Sequence, residues 1–367
     1  MTRLRWFYVR RLRTATLRSR HVMRPPLYLA ALAVLTLAVS PIRAEDPAPP
    51  AADSVVVDAP TEAVINGALR FLAEQQAGNG SWATQGRKGE HAIAMTGYVL
   101  MCFLASGNLP EEGDYAKQVN EGMKFLLDSL LPDGTFRGVD GGRYMYNHGI
   151  ATLALAEIYG QTKSPAMRTK LQRAIQLIVT TQCAKGPHAG GWRYRPRPED
   201  ADISVTVMQV VALRAAKNCG LDVPQRTIDD AIDYVKRCST GGGGFSYQAG
   251  NKDPGYARTA AAIYSLQVCG LYDDPLVAGG SKYLFGKVNE GGQWWTYGSN
   301  YAAPAQYMIG GDTWKRWYAV MREKLLKTVK KNGEQSSWEG EVGAVYCTAV
   351  HATILAMPYH YIPLYQR

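Results

Sequence analysis

Two kinds of helical pattern alternate along the chain from Thr61 onward. One kind is amphipathic, with apolar residues three and four positions apart and Glu, Lys and Arg between them. The other is rich in Ala, Val, Leu and Met on nearly every face, which is typical of a buried helix. The amphipathic segments are predicted at 61–76, 115–130, 166–182, 227–237, 275–288 and 314–331, and the apolar ones at 91–105, 144–159, 204–218, 257–269, 302–309 and 342–356.

A short turn with glycine and an aromatic residue joins each amphipathic segment to the apolar segment that follows it. These turns centre on Trp82, Phe136, Trp192, Phe245, Trp294 and Trp338, at spacings of 44 to 56 residues. Such regular self-similarity is typical of a repeat architecture. The pattern predicts an all-α protein of six helical hairpins, with apolar helices inside and amphipathic helices outside. We expect a closed (α/α)6 toroid, because closure removes the two uncapped ends of an open array.

The segment before these repeats has a different composition. Residues 1–44 contain nine arginines and no acidic residue, with an apolar run over 27–39 and a small residue at Ala44. This pattern predicts a secretory signal peptide that is cleaved near Ala44, and hence a periplasmic or extracellular protein. The apolar run is shorter than the roughly 20 residues that a membrane-spanning helix needs. Residues 45–60 are rich in Pro and Ala and are predicted to be a leader, so the toroid domain spans 61–367.

Export changes the interpretation of charge. Removing the nine arginines of the signal segment from the 41 basic residues leaves 32, against 31 acidic residues. A mature chain that is nearly neutral argues against a nucleic-acid partner. All six cysteines lie beyond the signal segment, and export permits disulfides. Cys183 and Cys238 occupy similar places in successive repeats and are the one candidate pair, whereas Cys102, Cys219 and Cys269 have the surroundings of core residues.

The glycine–aromatic turns resemble a repeat of the squalene–hopene cyclase and protein prenyltransferase superfamily. Residues 76–82 (QAGNGSW) match the Gln-x-x-x-Gly-x-Trp repeat in full, and partial copies occur at 132–136, 190–192, 243–245 and 335–338. The resemblance covers about residues 61–367 and looks closest to squalene-cyclase-like domains that occur alone in exported bacterial proteins. It implies an α/α toroid in which the glutamine binds backbone at a helix end and the tryptophan packs over the next hairpin.

A second likeness concerns Asp200 and Asp202. Class II terpene cyclases carry Gly-Gly-Trp followed by Asp-x-Asp-Asp-Thr at a helix start, and here Gly190-Gly191-Trp192 precedes residues 200–204 (DADIS). The resemblance implies that Asp202 is a proton donor and Asp200 its acidic neighbour. Ile203 replaces the third acid, which removes one carboxylate that would keep the donor protonated. The alternative is that Asp202 caps the helix by accepting backbone N–H groups.

Metal and cofactor sites are not expected. The prenyltransferases of the superfamily bind zinc through Asp, Cys and His, and Cys347 and His351 lie one helical turn apart. No Asp-x-Cys pattern precedes them, and a Cys–His pair on an apolar helix is typical of a core. We therefore predict no metal and no cofactor.

The residues just after the turns are rich in aromatic and basic types, and we expect them to line one mouth of the toroid. The predicted ligand-binding residues are Tyr146, His148, Arg193, Tyr194, Tyr256, Arg258, Trp295 and Tyr301. Three functions stay open: a module that binds a hydrophobic, peptide or glycan partner at this mouth, a terpene-cyclase-like enzyme that uses Asp202, and a carbohydrate-active lyase or hydrolase. The first is favoured, because the acidic motif is incomplete and the cyclases pair two helical domains where this chain offers one.

Overall fold

The computed structural model describes residues 55–83, 91–138, 143–196, 198–340 and 342–365. The predicted signal segment and the leader up to residue 54 lie outside the described residues. Twelve helices occupy the described part in an alternating order. The outer helices are α1 (Ala59–Glu74), α3 (Ala116–Ser129), α5 (Pro165–Thr180), α7 (Gln225–Arg237), α9 (Pro275–Lys287) and α11 (Gly311–Thr328). The inner helices are α2 (Ala92–Ala105), α4 (Tyr144–Thr162), α6 (Ile203–Asn218), α8 (Tyr256–Val268), α10 (Trp295–Ile309) and α12 (Ala344–Ala356).

The inner helices form a closed ring, which confirms the predicted toroid. Each packs against the next, from α2 through α4, α6, α8 and α10 to α12, and α12 packs against α2. Burial follows from this position. Every residue of α12 is buried, whereas the outer helix α7 buries only one face. The apolar and amphipathic patterns therefore mark the inner and outer layers.

A β-hairpin closes the outer layer where a continued helix was predicted. Helix α11 ends at Thr328, and strands β1 (Lys330–Asn332) and β2 (Gln335–Ser337) pair antiparallel before α12. Strand β2 packs against α1, so the last repeat contacts the first. Arg70 on α1 forms a 2.6 Å ion pair with Glu334 of the hairpin, and Gly67 leaves space for the Ser336 side chain.

Three turn tryptophans are held by hydrogen bonds to both helices of their hairpins. The indole N–H groups of Trp82, Trp192 and Trp338 donate to outer-helix carbonyls at 2.6, 2.8 and 3.0 Å. Their backbone N–H groups, and that of Phe245, donate to a threonine hydroxyl on the inner helix. These threonines are Thr96, Thr206, Thr259 and Thr348. In these three hairpins the tryptophan therefore fixes the position of the inner helix relative to its outer partner.

The turn also fixes the next hairpin. Gln76 and Gln182 each donate to a carbonyl within their own turn and to a carbonyl of the following outer helix, at 2.8–3.0 Å. Two residues before the aromatic, Gly190 has a φ of +89° and lies against the backbone of α7, where an added Cβ would be 1.9 Å from the Asp230 oxygen. Gly80, Gly134 and Gly243 make the same close approach. Only glycine combines this conformation with this contact.

The fifth turn differs from the prediction that centres it on Trp294. Helix α10 begins at Trp295, seven residues before the predicted start, and this shortens the turn. Trp294 has a left-handed φ of +65° that points its ring outward, so 47% of Trp294 is exposed. Trp295 replaces Trp294 as the partly buried tryptophan of this turn, and its indole N–H donates to the Val288 carbonyl at the end of α9 at 3.3 Å.

Cys183 and Cys238 are not joined by a disulfide bond, so the predicted pair is wrong. Both side chains are buried in separate contacts. The Cys183 thiol lies 3.6 Å from the Lys185 carbonyl in its own turn, whereas Cys238 contacts the Tyr234 hydroxyl. Similar positions in successive repeats place the two residues in neighbouring turns without pairing their sulfurs.

We expect Gly190→Ala to destabilise the fold by about 2 kcal/mol more than Gly250→Ala. Both glycines have the same left-handed backbone, with φ values of +89° and +88°, so the conformational cost of alanine is matched. Only Gly190 contacts another helix, because nothing lies within 4 Å of a Cβ at Gly250. Urea unfolding of the two variants measures the difference. Equal losses of stability would contradict the close-packing role of the turn glycine.

Candidate functional site

The first turns of the inner helices meet at one end of the toroid, which we call the mouth. The backbone N–H of Met145 in α4 donates to the Tyr194 carbonyl, and that of Ile203 in α6 donates to the Tyr247 carbonyl, both at 2.9 Å. Across the ring, the Tyr297 hydroxyl of α10 donates to the Ser204 carbonyl of α6 at 2.7 Å. These contacts bring the turns and helix starts of four repeats together.

Asp202 lies at the centre of this region and is fully buried. As the N-cap of α6, its Oδ1 accepts the Val205 backbone N–H at 2.9 Å and the Ser204 hydroxyl. Its Oδ2 accepts the Arg193 guanidinium at 3.1 Å. Burial raises the pKa of Asp202, and the hydrogen bonds from Ser204 and Val205 oppose that shift. Protein groups therefore occupy both carboxylate oxygens.

Arg193 links the two acids to a pair of tyrosines. Its Nε is 3.5 Å from Asp200 Oδ2, and its guanidinium carbon is 4.5 Å from the centre of the Tyr194 ring and 5.4 Å from that of Tyr247. The two tyrosine hydroxyls are hydrogen-bonded to each other. Because ion pairs and cation–π contacts hold this stack, the arginine and both rings have fixed positions at the mouth.

A hydrogen-bonded chain runs from Asp202 toward the axis of the toroid. The Ser204 hydroxyl donates to Asp202 and also bonds the Tyr146 hydroxyl, whose ring stacks on Tyr194 at 5.7 Å. Burial raises the pKa of Tyr146 well above 10, so this hydroxyl keeps its proton. Tyr297 packs edge-on against Tyr146 at 6.5 Å.

The space below the mouth, along the axis of the toroid, is the lumen. Side chains of all six inner helices line it, and these are Tyr98, Met101, Ile150, Leu153, Met208, Val211, Tyr264, Asn300, Tyr301, Val350 and Thr353. Tyr301 belongs to this lining and is only 4% exposed, with its ring 5.0 Å from Tyr297. The lining fills the lumen so completely that the remaining space holds roughly one or two water molecules.

Besides Tyr301, two other predicted mouth residues lie elsewhere, and both point away from the axis. His148 is buried between α4 and α5, where Nε2 lies 2.9 Å from the Ala174 carbonyl and Nδ1 lies 3.3 Å from the Tyr144 hydroxyl. Burial lowers the pKa of His148 to about 4, which keeps the ring neutral. Trp295 lies in the outer wall between the ammonium of Lys324, 4.1 Å from its ring centre, and the ring of His351. Both follow a turn in the sequence, but helix periodicity points them away from the axis.

Tyr256 and Arg258 lie at the start of α8 with partners of their own. The Tyr256 hydroxyl is 3.4 Å from Ser299 Oγ on α10, and Arg258 forms a 2.8 Å ion pair with Asp253. The structure thus brings together Asp200, Asp202, Arg193, Tyr194 and Tyr146. Ser204, Tyr247 and Tyr297 lie in the same place, and we call these eight residues the Asp202 cluster. The hydrogen bonds of Ser204 to Asp202 and Tyr146 were not predicted, although a serine two residues after an N-cap aspartate is visible in the sequence. The place of Tyr98 in the lumen was not predicted either, although a tyrosine within an apolar helix is also visible.

Within the described ranges, no three His, Cys, Asp or Glu side chains are arranged to hold a metal ion. His351 and Cys347 lie on one face of α12, where the His351 ring packs on Trp295 and Trp338. Burial lowers the pKa of His351 to about 3. In the same part of the chain, no helix combines the length and the apolar character that crossing a bilayer requires.

No protein-family model and no curated protein sequence matches the chain. Solved structures share its fold. The type II terpene cyclase MstE from Scytonema superposes with a TM-score of 0.56 at 14% identity, over 83% of this chain and 99% of the cyclase. An inactive variant of an α-1,6-mannanase of Salegentibacter sp., in complex with α-1,6-mannotriose, gives 0.59 at 9% identity over 81% and 99% of the chains.

Protein geranylgeranyltransferase-I of Candida albicans, complexed with GGPP, gives a TM-score of 0.53 at 12% identity, over 81% of this chain and 91% of that one. Because all these identities are low, the likeness concerns the fold. The chain has an α/α-toroid architecture, which proteins of different chemistry share.

We expect Asp202→Ala to lower the free energy of unfolding by about 2–4 kcal/mol, because it removes a helix cap and leaves buried groups without partners. Asp200→Ala is the matched control. Asp200 is half exposed and its pairing with Arg193 is longer, so we expect a loss of about 1 kcal/mol or less. Chemical denaturation of both variants tests this. Two equally small losses would show that the Asp202 contacts contribute little to stability.

Proposed function

We propose that the protein is a non-catalytic binding module whose ligand binds at the aromatic and basic mouth. The environment of Asp202 carries this proposal. Val205, Ser204 and Arg193 bind its two oxygens, so the acid in the position of a cyclase proton donor is engaged by the protein itself. The lumen that would enclose a substrate is filled by side chains.

The surface of the mouth favours a ligand with a flat or apolar part. Tyr194 and Tyr247 are half-buried and offer ring area beside the Arg193 guanidinium. Their contacts with the acids below hold them in place, and a pre-organised surface loses little conformational entropy when it binds. Aromatic rings in a concave surface with a few polar groups are typical of ligand sites.

The charge at the mouth favours a polar or anionic group on that ligand. The inner helices begin at this end, and helix N-termini carry a partial positive charge of roughly half a unit each. Arg143 and Arg195 are exposed near the starts of these helices. The structural neighbours include proteins bound to geranylgeranyl dihydroxybenzoate and to α-1,6-mannotriose, which are ligands of mixed apolar and polar character. A hydrophobic, glycan or peptide chain with a polar end fits this surface.

The proposed place of action is outside the cytoplasm. The basic, acid-free segment 1–44 with its short apolar run supports export as a secreted or periplasmic protein. Binding there would concern envelope or extracellular ligands.

A terpene-cyclase-like activity is the second candidate, and one observation favours it. The hydrogen-bonded chain Asp202–Ser204–Tyr146 leads from a buried acid of raised pKa toward the lumen. Cyclisation of this type is an isomerisation in which an acid adds a proton to an alkene and a later step loses one. The ion pair with Arg193 stabilises the charged carboxylate of Asp202. Asp202 would therefore donate a proton only after its contact with Arg193 was broken.

We expect purified protein to bind at least one of three probes: geranylgeranyl dihydroxybenzoate, α-1,6-mannotriose, or peptides selected from a displayed random library. Loss of the half-buried ring in Tyr194→Ala should weaken that binding at least tenfold, as expected for about 1.4 kcal/mol of stacking energy. Isothermal titration calorimetry measures the affinity, and thermal unfolding confirms that the variant is folded.

Arg258→Ala tests the basic side of the mouth in the same assay. Tyr361→Ala is the control, because it removes a half-exposed tyrosine at the opposite end of the toroid and should leave the affinity unchanged. Binding that responds equally to Tyr194→Ala and Tyr361→Ala would place the site elsewhere. Release of reducing ends from α-1,6-mannotriose would favour the carbohydrate-active alternative instead.

For the cyclase candidate, we expect no cyclised isomer when the protein is incubated with squalene or geranylgeranyl dihydroxybenzoate. Because cyclisation preserves mass, the products are separated by chromatography and identified by NMR. A cyclic product that disappears in Asp202→Asn would overturn the non-catalytic proposal. Asp200→Asn is the matched variant, since it removes a neighbouring charge without removing the helix cap.

A further inference from the structure

Asparagine followed by glycine occurs three times in the sequence, at Asn66–Gly67, Asn79–Gly80 and Asn332–Gly333. Such a pair deamidates spontaneously when the backbone nitrogen of the glycine attacks the side-chain carbonyl of the asparagine. Glycine hinders this attack least, because it has no Cβ and its backbone rotates freely. In a folded protein the reaction also requires that both groups are free to meet in the right orientation. The three pairs therefore share one chemistry and differ in their surroundings.

The surroundings of Asn79 oppose this reaction. Its Oδ1 accepts the backbone N–H and the hydroxyl of Ser81 at 3.1 and 2.8 Å, and the Gly80 N–H donates to the Ala77 carbonyl at 2.8 Å. Gly80 also lies against the backbone of α3, where an added Cβ would be 2.4 Å from the Glu121 oxygen. The carbonyl and the nitrogen that would have to join are thus both held by other partners.

Asn66 is opposed by its helix. Asn66 and Gly67 lie in the middle of α1, where each backbone N–H donates to the carbonyl four residues earlier. Gly67 is buried beneath the β-hairpin, and an added Cβ would be 2.5 Å from Ser336 Oγ. The attack would require a rotation of the backbone that breaks the helix at this contact.

Asn332 lies at the open tip of the hairpin. It ends β1 and pairs with Gln335 across a two-residue loop, in which Gly333 has a left-handed φ of +56°. Asn332 and Gly333 are both exposed, and nothing lies within 4 Å of a Cβ added to Gly333. Among the side-chain hydrogen bonds of the described residues, none involves Asn332. Its amide is therefore free to approach the Gly333 nitrogen whenever the tip of this short hairpin opens.

We propose that Asn332 is a site of spontaneous modification in this protein, and that its modification loosens the closure of the ring. The Gly333 nitrogen attacks Asn332 Cγ and loses its proton to solvent. A C–N bond forms, the bond from Cγ to Nδ2 breaks, and ammonia leaves. Water then opens the cyclic succinimide at either carbonyl, which gives aspartate or isoaspartate at position 332. This inference does not depend on the proposed binding at the mouth, because it concerns the outer layer.

The isoaspartyl product changes the contact between the last repeat and the first. In isoaspartate the main chain runs through the side-chain carbonyl, which adds an atom to the backbone directly before the loop. The contacts that follow are the 2.6 Å ion pair of Glu334 with Arg70 and the packing of Ser336 over Gly67, both on α1. A lengthened backbone shifts the register between β1 and β2, on which both contacts depend. We therefore expect the isoaspartyl hairpin to bind α1 less firmly.

Peptide mass spectrometry of the full-length protein, incubated in mildly alkaline buffer, measures deamidation at the three sites. Each rate is divided by the rate of the same site in guanidinium-unfolded protein, which removes the effect of sequence neighbours. We expect the corrected rate at Asn332 to exceed those at Asn79 and Asn66 at least about tenfold, because these two sites must first open and lose hydrogen bonds. Equal corrected rates, or no reaction at Asn332, would refute the modification site.

Hydrogen–deuterium exchange tests the effect on closure. In the chromatographically separated isoaspartyl form, we expect the amides of residues 335–337 to exchange severalfold faster than in fresh protein. Asn332→Asp is the matched control, because it adds the charge without lengthening the backbone and should keep the original protection. Asn332→Gln, which forms the corresponding larger ring far more slowly, should keep its protection through the same incubation. Unchanged protection in the isoaspartyl form, or an equal loss in either variant, would refute the loosening of the ring.

Discussion

Closure of the inner ring is the constraint on which the structure depends. A helix that is apolar on nearly every face is stable in water only when neighbours cover both of its sides, and α12 gains its second neighbour by packing against α2. The turns make this geometry repeatable. The turns at Trp82, Trp192 and Phe245 each bind their own inner helix through a threonine hydroxyl and approach the next outer helix through a glycine, so each of them positions the hairpin that follows.

The same geometry decides what the mouth offers. Because the inner helices begin at one end, their caps, their turn aromatics and their arginines share a small region. A carboxylate placed there is drawn into helix capping and ion pairing, and Asp202 shows the outcome. A carboxylate that caps its helix and pairs with an arginine is therefore less available to donate a proton to a substrate. Burial raises the pKa of Asp202, whereas its hydrogen bonds and its arginine stabilise the charged form.

Sequence patterns predict the inner and outer helix layers of this fold well. Inner helices are buried on all sides and outer helices on one side, and these two situations leave different periodicities of apolar residues. Sequence patterns fail where a single residue changes the path of the chain. The left-handed Trp294 moves the start of α10 to Trp295, and the β-hairpin replaces the predicted end of α11. Within the site, pattern places Arg193, Tyr194, Tyr146 and the acids in one region. It does not tell which side of a helix His148 faces, since that depends on the rotation of α4 against α5.

The contact between Arg70 and the hairpin at Glu334 joins residues 264 positions apart, and it has a consequence for how the chain matures. The first hairpin gains its last neighbour only when the sixth has been synthesised. Until then α2 presents uncovered apolar surface to its surroundings. Exposed apolar surface promotes aggregation, so the long sequence separation of this contact makes the unclosed ring the vulnerable stage of folding.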